Sequence, residues 1–183
     1  MEKLDFKTAF KYPFNRAKGL WNILLIFLPV VGWFVLGGYG IRIIQEFSKG
    51  EFEQLPTLKF GNDLGLGFFM FFKAIPFMLT YMIITFILTE INPWLRLITL
   101  PFGILLIPVL TINFMNKETV SSYFEFSILK PVFDNFGDYI VAFLKNSLLG
   151  LIFIVMSLVL VGIPAGNFTQ NIFLADFYRR RIK

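Results

Sequence analysis

Residues 7–56 read KTAFKYPFNRAKGLWNILLIFLPVVGWFVLGGYGIRIIQEFSKGEFEQLP, and this stretch decides the fold class. A basic amphipathic segment is followed by an apolar segment, which is broken at Pro29 and Gly32, and then by a charged segment. A helix rises about 1.5 Å per residue and the hydrocarbon core of a bilayer is about 30 Å thick, so apolar runs of this length are typical of membrane helices. We expect the rest of the chain either to pack against this apolar core or to repeat its plan.

Composition limits the classes of protein to which the chain can belong. Its 183 residues are 56% hydrophobic and 16% charged, whereas soluble domains are about one quarter charged. With so little polar sequence, we predict one integral membrane domain over residues 1–183. The chain has neither Cys nor His, which removes thiol nucleophiles, imidazole bases and most zinc or haem ligation.

Four apolar runs define the predicted all-α bundle, which we expect to span the membrane several times. Two of the runs contain a proline and a glycine that interrupt a helix, because proline removes a backbone hydrogen bond and glycine favours a bend. The runs are 20–44, 64–88, 97–115 and 139–178, and the breaks are Pro29 with Gly32 and Pro164 with Gly166.

Two topologies fit the broken runs. If each crosses the membrane once, there are four spans, and Arg42, Lys49 and Lys59 lie outside. If each is a hairpin, there are three hairpins, and residues 45–63, residues 116–138 and both termini lie inside. Lys and Arg collect in cytoplasmic loops, so the charges favour three hairpins with both termini in the cytoplasm of a multi-pass cell-membrane protein. The run before Pro29 is short for a crossing, so the first hairpin either penetrates halfway or begins deeper in the interface.

Two segments, 2–15 and 117–136, are predicted to be amphipathic helices at the membrane interface. In the first, phenylalanines and lysines each recur every four residues and so form two neighbouring rows on one helix. Phenylalanine suits the acyl boundary and lysine suits anionic headgroups, so membrane lipids are the predicted partner rather than nucleic acid. The residues are Phe6, Phe10, Phe14, Lys3, Lys7 and Lys11. The alternative is an ordinary short helix packed on protein.

Lys73 is the first candidate polar site within an apolar run. An ammonium group about nine residues into a span costs several kcal/mol unless it is paired or hydrated. Asp176 and Glu90 are its predicted partners, and the functional interpretation is an anion or proton pathway. Snorkelling or a structural ion pair is the alternative.

Amides and glycines form two further candidate features. Five polar residues either line an aqueous cavity or hydrogen-bond to other helices, namely Asn167, Thr169, Gln170, Asn171 and Asp176. The glycines of residues 36–40, and Gly61 with Gly65 at the start of the next run, are predicted to let helices approach closely.

Five stretches of the chain carry a family resemblance: AFKYPF, LPVVGW, GGYGIRII, KGEFEQLP and LADFYRR. Together they resemble the prokaryotic membrane family filed as domain of unknown function 4013. The resemblance covers nearly the whole chain and implies an integral membrane fold and location, but the family has no established activity to carry over. Where its pattern ends in a histidine-containing A-H-L-Y-G-Q, this chain has ADFYRR at residues 175–180, so no role tied to that histidine is expected.

The sequence predicts no enzyme. Paired carboxylates, a nucleophile triad, a phosphate-binding loop and a metal cluster do not appear, so we expect no cofactor and no metal. Two functional classes are left. One is a non-catalytic membrane component that binds lipid or a partner protein, and the other is a small-solute or ion channel or transporter. A homo-oligomer fits the second class, because one small bundle encloses little volume.

Overall fold

A computed structural model describes residues 3–183, and in this range the chain folds as helices with no strand. Three helical hairpins form the bundle, as predicted. Buried side chains from all three meet in one hydrophobic core. The α-helices are α1 (Phe6–Lys11), α2 (Val31–Phe47), α3 (Phe60–Ile91), α4 (Arg96–Leu105), α5 (Ile107–Lys117), α6 (Val120–Tyr123), α7 (Leu129–Asp134), α8 (Phe136–Met156), α9 (Gly162–Phe168) and α10 (Ile172–Arg181).

The first hairpin joins a 3₁₀-helix at Ala17–Phe27 to α2. Its turn is tight: the Val31 N–H donates to the Pro29 carbonyl at 2.7 Å, and Val30 has φ 64° and ψ −64°. A β-branched residue rarely adopts this conformation, and the surrounding packing must hold it. A Cβ on Gly32 would lie 1.8 Å from the Leu25 carbonyl oxygen, so the two arms touch through backbone. This geometry confirms the hairpin interpretation of the first broken run.

Two glycines set the contact between α2 and α3. A Cβ on Gly38 would lie 1.9 Å from the Asp63 carbonyl oxygen, and a Cβ on Gly67 would lie 1.9 Å from the Phe34 carbonyl oxygen. The prediction of close approach is therefore correct for Gly38. It is wrong for Gly37, Gly40, Gly61 and Gly65, whose Cβ positions meet nothing within 4 Å.

The second hairpin consists of α3 on one arm and α4 with α5 on the other. Its turn begins at Asn92, whose side chain accepts a hydrogen bond from the Trp94 N–H at 3.0 Å. Pro101 lies inside α4 and Pro108 lies in the first turn of α5, where a missing N–H costs little. Both apolar runs of this hairpin are thus helical, as predicted.

The third hairpin consists of α8 on one arm and α9 with α10 on the other. Its turn lies at Leu160, which has φ 64°, rather than at Pro164 and Gly166, which are inside α9. A second break follows at Asn171, also left-handed with φ 65°, and it separates α9 from α10. The predicted interruption is correct, but it begins four residues before the proline.

Four segments that the charge pattern placed together do meet in the structure. Asp138, at the end of residues 116–138, pairs with Lys3 of the N-terminal segment at 2.8 Å and with Arg180 near the C-terminus at 2.7 Å. The Asn15 amide donates to the Glu53 carbonyl in the loop between α2 and α3, and the Asn116 amide donates to Ser48. These four segments therefore lie at one end of the bundle.

The two predicted interfacial helices are interrupted. Of the segment 2–15, position 2 lies outside the described residues, and the rest forms α1 and a 3₁₀-turn at Tyr12–Phe14. The segment 117–136 forms α6, a 3₁₀-turn at Phe126–Ile128 and α7 instead of one helix. Glu118 ends α5 in the left-handed conformation with φ 55°, which redirects the chain before a longer helix can start.

Three helical stretches are long and apolar enough to cross a membrane: Phe60–Ile91, Pro93–Lys117 and Phe136–Val159. In the most apolar part of the first, only 6% of the residues are buried inside the protein. So much exposed apolar surface is unfavourable in water. It is consistent with a membrane location.

Candidate functional site

An apolar groove lies between α2, α3 and α5, and it has a volume of about 610 Å³. Pockets for small ligands generally measure about 300–1,000 Å³. The only side-chain polar atoms that its lining residues carry are those of Trp33 and Tyr123. Its lining residues are Val30, Trp33, Phe34, Gly37, Ile41, Gly67, Met70, Phe71, Ala74, Phe114, Met115 and Tyr123.

An amide cavity of about 410 Å³ lies on the other side of α2, between the first and third hairpins. Three carboxamide side chains from the α9–α10 break, Asn167, Gln170 and Asn171, line one wall. The remaining wall consists of apolar side chains and glycines. The full lining is Ile23, Ile26, Trp33, Leu36, Gly37, Gly40, Ile41, Ile43, Ile44, Met115, Asn167, Phe168, Gln170 and Asn171.

The groove and the cavity adjoin at α2, where both are lined by Trp33, Gly37, Ile41 and Met115. A Cβ on Gly37 or on Gly40 would meet nothing within 4 Å, so these glycines leave open volume beside the helix. An amphipathic ligand could therefore place its apolar part in the groove and its polar part in the cavity.

The break between α9 and α10 positions the three amides. Thr169 donates from its hydroxyl to the Ala165 carbonyl at 2.7 Å, and Asn167 donates to the Ile163 carbonyl at 2.9 Å. The left-handed conformation of Asn171 then turns the chain into α10. Asn167, Gln170 and Asn171 line a cavity, which is the first of the two interpretations of these polar residues. Thr169 instead hydrogen-bonds within its own helix. Asn167 and Gln170 also border a cavity of about 360 Å³ beside α8.

Lys73 has a partner that the sequence analysis did not predict. Its ammonium group donates to the Glu118 carbonyl at 2.8 Å, at the end of α5. A cation at this position also interacts favourably with the negative end of the helix dipole. Glu90 is exposed near the far end of α3, and Asp176 bonds elsewhere. The predicted pairing of Lys73 with either carboxylate is therefore wrong, and Lys73 lines neither the groove nor the cavity.

Asp176 is 2% exposed and bonds to three groups. It accepts from Arg179 at 2.6 Å, from Arg180 at 2.9 Å and from the Leu4 N–H at 3.2 Å. Arg180 also reaches Asp138 at 2.7 Å. Asp176 thus ties the N-terminal segment to α10, which is a structural role.

The phenylalanine row of the N-terminal segment packs on protein. Phe10 stacks on Phe153 with ring centroids 5.5 Å apart, and Phe14 contacts the same ring edge-on. Phe6 stacks on Phe173 at 5.8 Å. These rings are half-buried against the third hairpin, which corrects the prediction that they form a face in the acyl boundary. Among the lysines of the other row, Lys7 and Lys11 are exposed and Lys3 pairs with Asp138.

Sequence reasoning missed two polar features. Lys145 lies about as far into α8 as Lys73 was predicted to lie in its span, and its ammonium lies over the Phe173 ring, 5.8 Å from the centroid. The depth argument used for Lys73 would have found it. The buried amide of Asn113 accepts from the Tyr178 hydroxyl at 2.7 Å and donates to Glu125. Hydrogen bonds from Lys117 and Asn113 lower the pKa of Glu125.

Within residues 3–183 there is no group of acidic side chains that could hold a metal ion. A family model described as "Protein of unknown function (DUF4013)" matches residues 22–164, which confirms the resemblance drawn from the sequence motifs. No curated protein and no solved structure matches the chain.

Proposed function

The chain belongs to the protein family of unknown function DUF4013, and we propose that it is a non-catalytic, multi-pass membrane component that holds the hydrocarbon part of a membrane lipid in its apolar groove. The observation that carries this proposal is the lining of the groove. Apolar side chains and glycines line about 610 Å³ on α2 and on two of the three spanning stretches. Acyl chains are the apolar molecules that such a site meets at the highest concentration.

The residues that line the groove fit a bound lipid chain better than a path for a transported solute. Trp33, Phe34 and Phe71 contribute large apolar surfaces to its wall. Burying apolar surface stabilises a complex by about 25 cal/mol per Å². A transported ion would instead need polar or charged groups along its route. Neither the groove nor the amide cavity is lined by a charged side chain, and Lys73 is engaged at the end of α5.

Charge at one end of the bundle supports an orientation for the proposed membrane protein. Lys7, Lys11 and Lys18 are exposed near the end where both termini lie. Basic residues collect on the cytoplasmic side and attract anionic headgroups. We therefore assign this end to the cytoplasm and anionic lipids to its surroundings.

The test uses photo-crosslinking of the full chain in nanodiscs. Phosphatidylglycerol and diacylglycerol, each with a diazirine near the end of one acyl chain, are incorporated together, and labelled peptides are mapped by mass spectrometry. Occupation of the groove predicts enrichment of label at Met70 to Ala74 and at Phe114 to Met115. Uniform label over the exposed faces of α3, without this enrichment, would overturn the proposal.

A glycine substitution makes the test specific. Gly37→Leu places a side chain in the open volume at the boundary of groove and cavity, and should remove the enrichment. Gly65→Leu is the matched control, because its Cβ position is equally open and Gly65 lines neither space. Equal label in both variants would contradict a chain held in the groove.

A further inference from the structure

The three amides of the cavity have unused hydrogen-bonding capacity. Within residues 3–183, the side chains of Gln170 and Asn171 have no hydrogen-bond partner, and the only bond from the Asn167 side chain goes to its own helix. Asn167 and Gln170 are exposed and Asn171 is half-buried, so their polar atoms are open to a molecule in the cavity. Three amides with free donors and acceptors on one wall would therefore suit a polar ligand.

Gln170 lies between the turn of the third hairpin and its charged end. It precedes Arg180, which pairs with Asp138 and Asp176, by ten residues. It also borders a pocket beside Gly150 and Phe153 of α8. The amides are thus separated from the ion pairs of the charged end.

The chemistry of the cavity selects an uncharged partner. Carboxamides donate and accept hydrogen bonds without carrying charge. No Lys or Arg lines the cavity, so a phosphate group bound here would lack the cation that usually pairs with it. The nearest arginine on α2, Arg42, is engaged by Asp63 at 2.7 Å and is not part of the wall.

We infer that the amide cavity binds the uncharged polar group of the lipid whose hydrocarbon occupies the apolar groove, so the ligand is a neutral lipid with a hydroxyl group, of the diacylglycerol type. This inference rests on the proposed function, since it assigns the headgroup of the same lipid. The shared boundary at Gly37 and Met115 connects the two parts of the site. Donation and acceptance by the amides match a hydroxyl and its neighbouring ester carbonyls.

The experiment compares two lipid classes in the same nanodiscs. The full chain is irradiated with diazirine-labelled diacylglycerol or with phosphatidylglycerol of the same acyl chains, and label at Met70 to Ala74 is quantified. We expect preferential labelling by diacylglycerol. The double variant Asn167→Leu with Gln170→Leu should lower diacylglycerol labelling about tenfold, since it removes two neutral hydrogen bonds. Its phosphatidylglycerol labelling should not change.

Two further variants separate this effect from misfolding. Asn171→Gly removes the third amide while keeping the left-handed conformation, so it should lower diacylglycerol labelling and leave the fold intact. Gln54→Leu removes an exposed amide that lines neither the cavity nor the groove and should not change the labelling by either lipid.

The outcomes distinguish the inference from the proposed function. Equal labelling by the two lipids, or no loss in the amide variants, overturns the neutral-headgroup inference and leaves the groove as a general acyl site. Such a result would indicate that the amides hydrogen-bond to water instead of to a lipid. Absence of enriched label from both lipids overturns the proposed function, and the inference with it.

Discussion

Gly38 and Gly67 bring α2 and α3 into backbone contact, since a Cβ on either residue would lie 1.9 Å from a carbonyl oxygen of the other helix. Membrane helices gain little from burying apolar surface against each other and depend on such close packing. The contact also fixes one wall of the apolar groove, which Gly67 lines.

Gly38→Ala should therefore separate the two helices. The clash involves backbone atoms, which cannot rotate away, so we expect a loss of about 1–3 kcal/mol, the usual cost of overpacking. Thermal unfolding in detergent, followed by tryptophan fluorescence, measures it. Gly40→Ala is the control: its Cβ position is open, and alanine favours a helix by about 1 kcal/mol over glycine. A lower stability of Gly40→Ala than of Gly38→Ala would refute the contact.

Asp176→Ala should be strongly destabilising. It leaves Arg179 and Arg180 without their shared carboxylate and the Leu4 N–H without an acceptor. Breaking a buried ion pair in this way costs about 3–5 kcal/mol. Chemical unfolding in detergent checks the value. Asp134→Ala alters an exposed carboxylate, and its stability should stay within about 0.5 kcal/mol of the parent. Similar losses in both variants would argue against the network.

Lys73→Met should reduce stability modestly and should not affect any solute flux. The variant removes the hydrogen bond to the Glu118 carbonyl and a cation at the end of α5, interactions of about 1 kcal/mol. Lys130→Met serves as the comparison, because Lys130 is an exposed lysine on α7. Thermal stability and ion flux in liposomes are measured together. A loss of flux with unchanged stability would restore the pathway interpretation.

Single cysteines test the proposed orientation without background, because the chain has none. Ser48 is fully buried and unsuitable for labelling, so its exposed neighbour Lys49 is used with Asn92 and Ser121. An impermeant thiol reagent added to intact cells should label Asn92→Cys alone. Labelling of Lys49→Cys under the same conditions would reject the assignment of this loop to the cytoplasm.

Sequence patterns predicted the hairpins because charge placement and helix breaks are local properties. The distribution of Lys and Arg around residues 45–63 favoured the topology that the structure has. Gly32 likewise indicated the first turn, because only a glycine fits where the backbones of the two arms of the hairpin meet. The third turn could not be placed exactly from the sequence. It lies at Leu160, which adopts the left-handed conformation, and leucine is not a residue type that indicates such a turn.

Only part of the candidate site could be predicted from the sequence. The amides at 167–171 were recognised as polar residues in an apolar run, but whether they face a cavity depends on how α9 packs against α2. The partner of Lys73 is 45 positions away in sequence, and no spacing rule relates them. The phenylalanine row of α1 has the same periodicity whether it faces lipid or Phe153.

The reach of the first hairpin has a consequence for lipid exchange. Eleven residues of 3₁₀-helix extend about 22 Å and the 17 residues of α2 about 25 Å, both short of the roughly 30 Å hydrocarbon core. We therefore expect its tip to turn back before the opposite boundary. Because α2 walls both the groove and the cavity, neither is expected to reach the boundary opposite the termini, and lipid exchange is expected mainly with the leaflet beside them. Lipid asymmetry between leaflets would decide what the protein can bind.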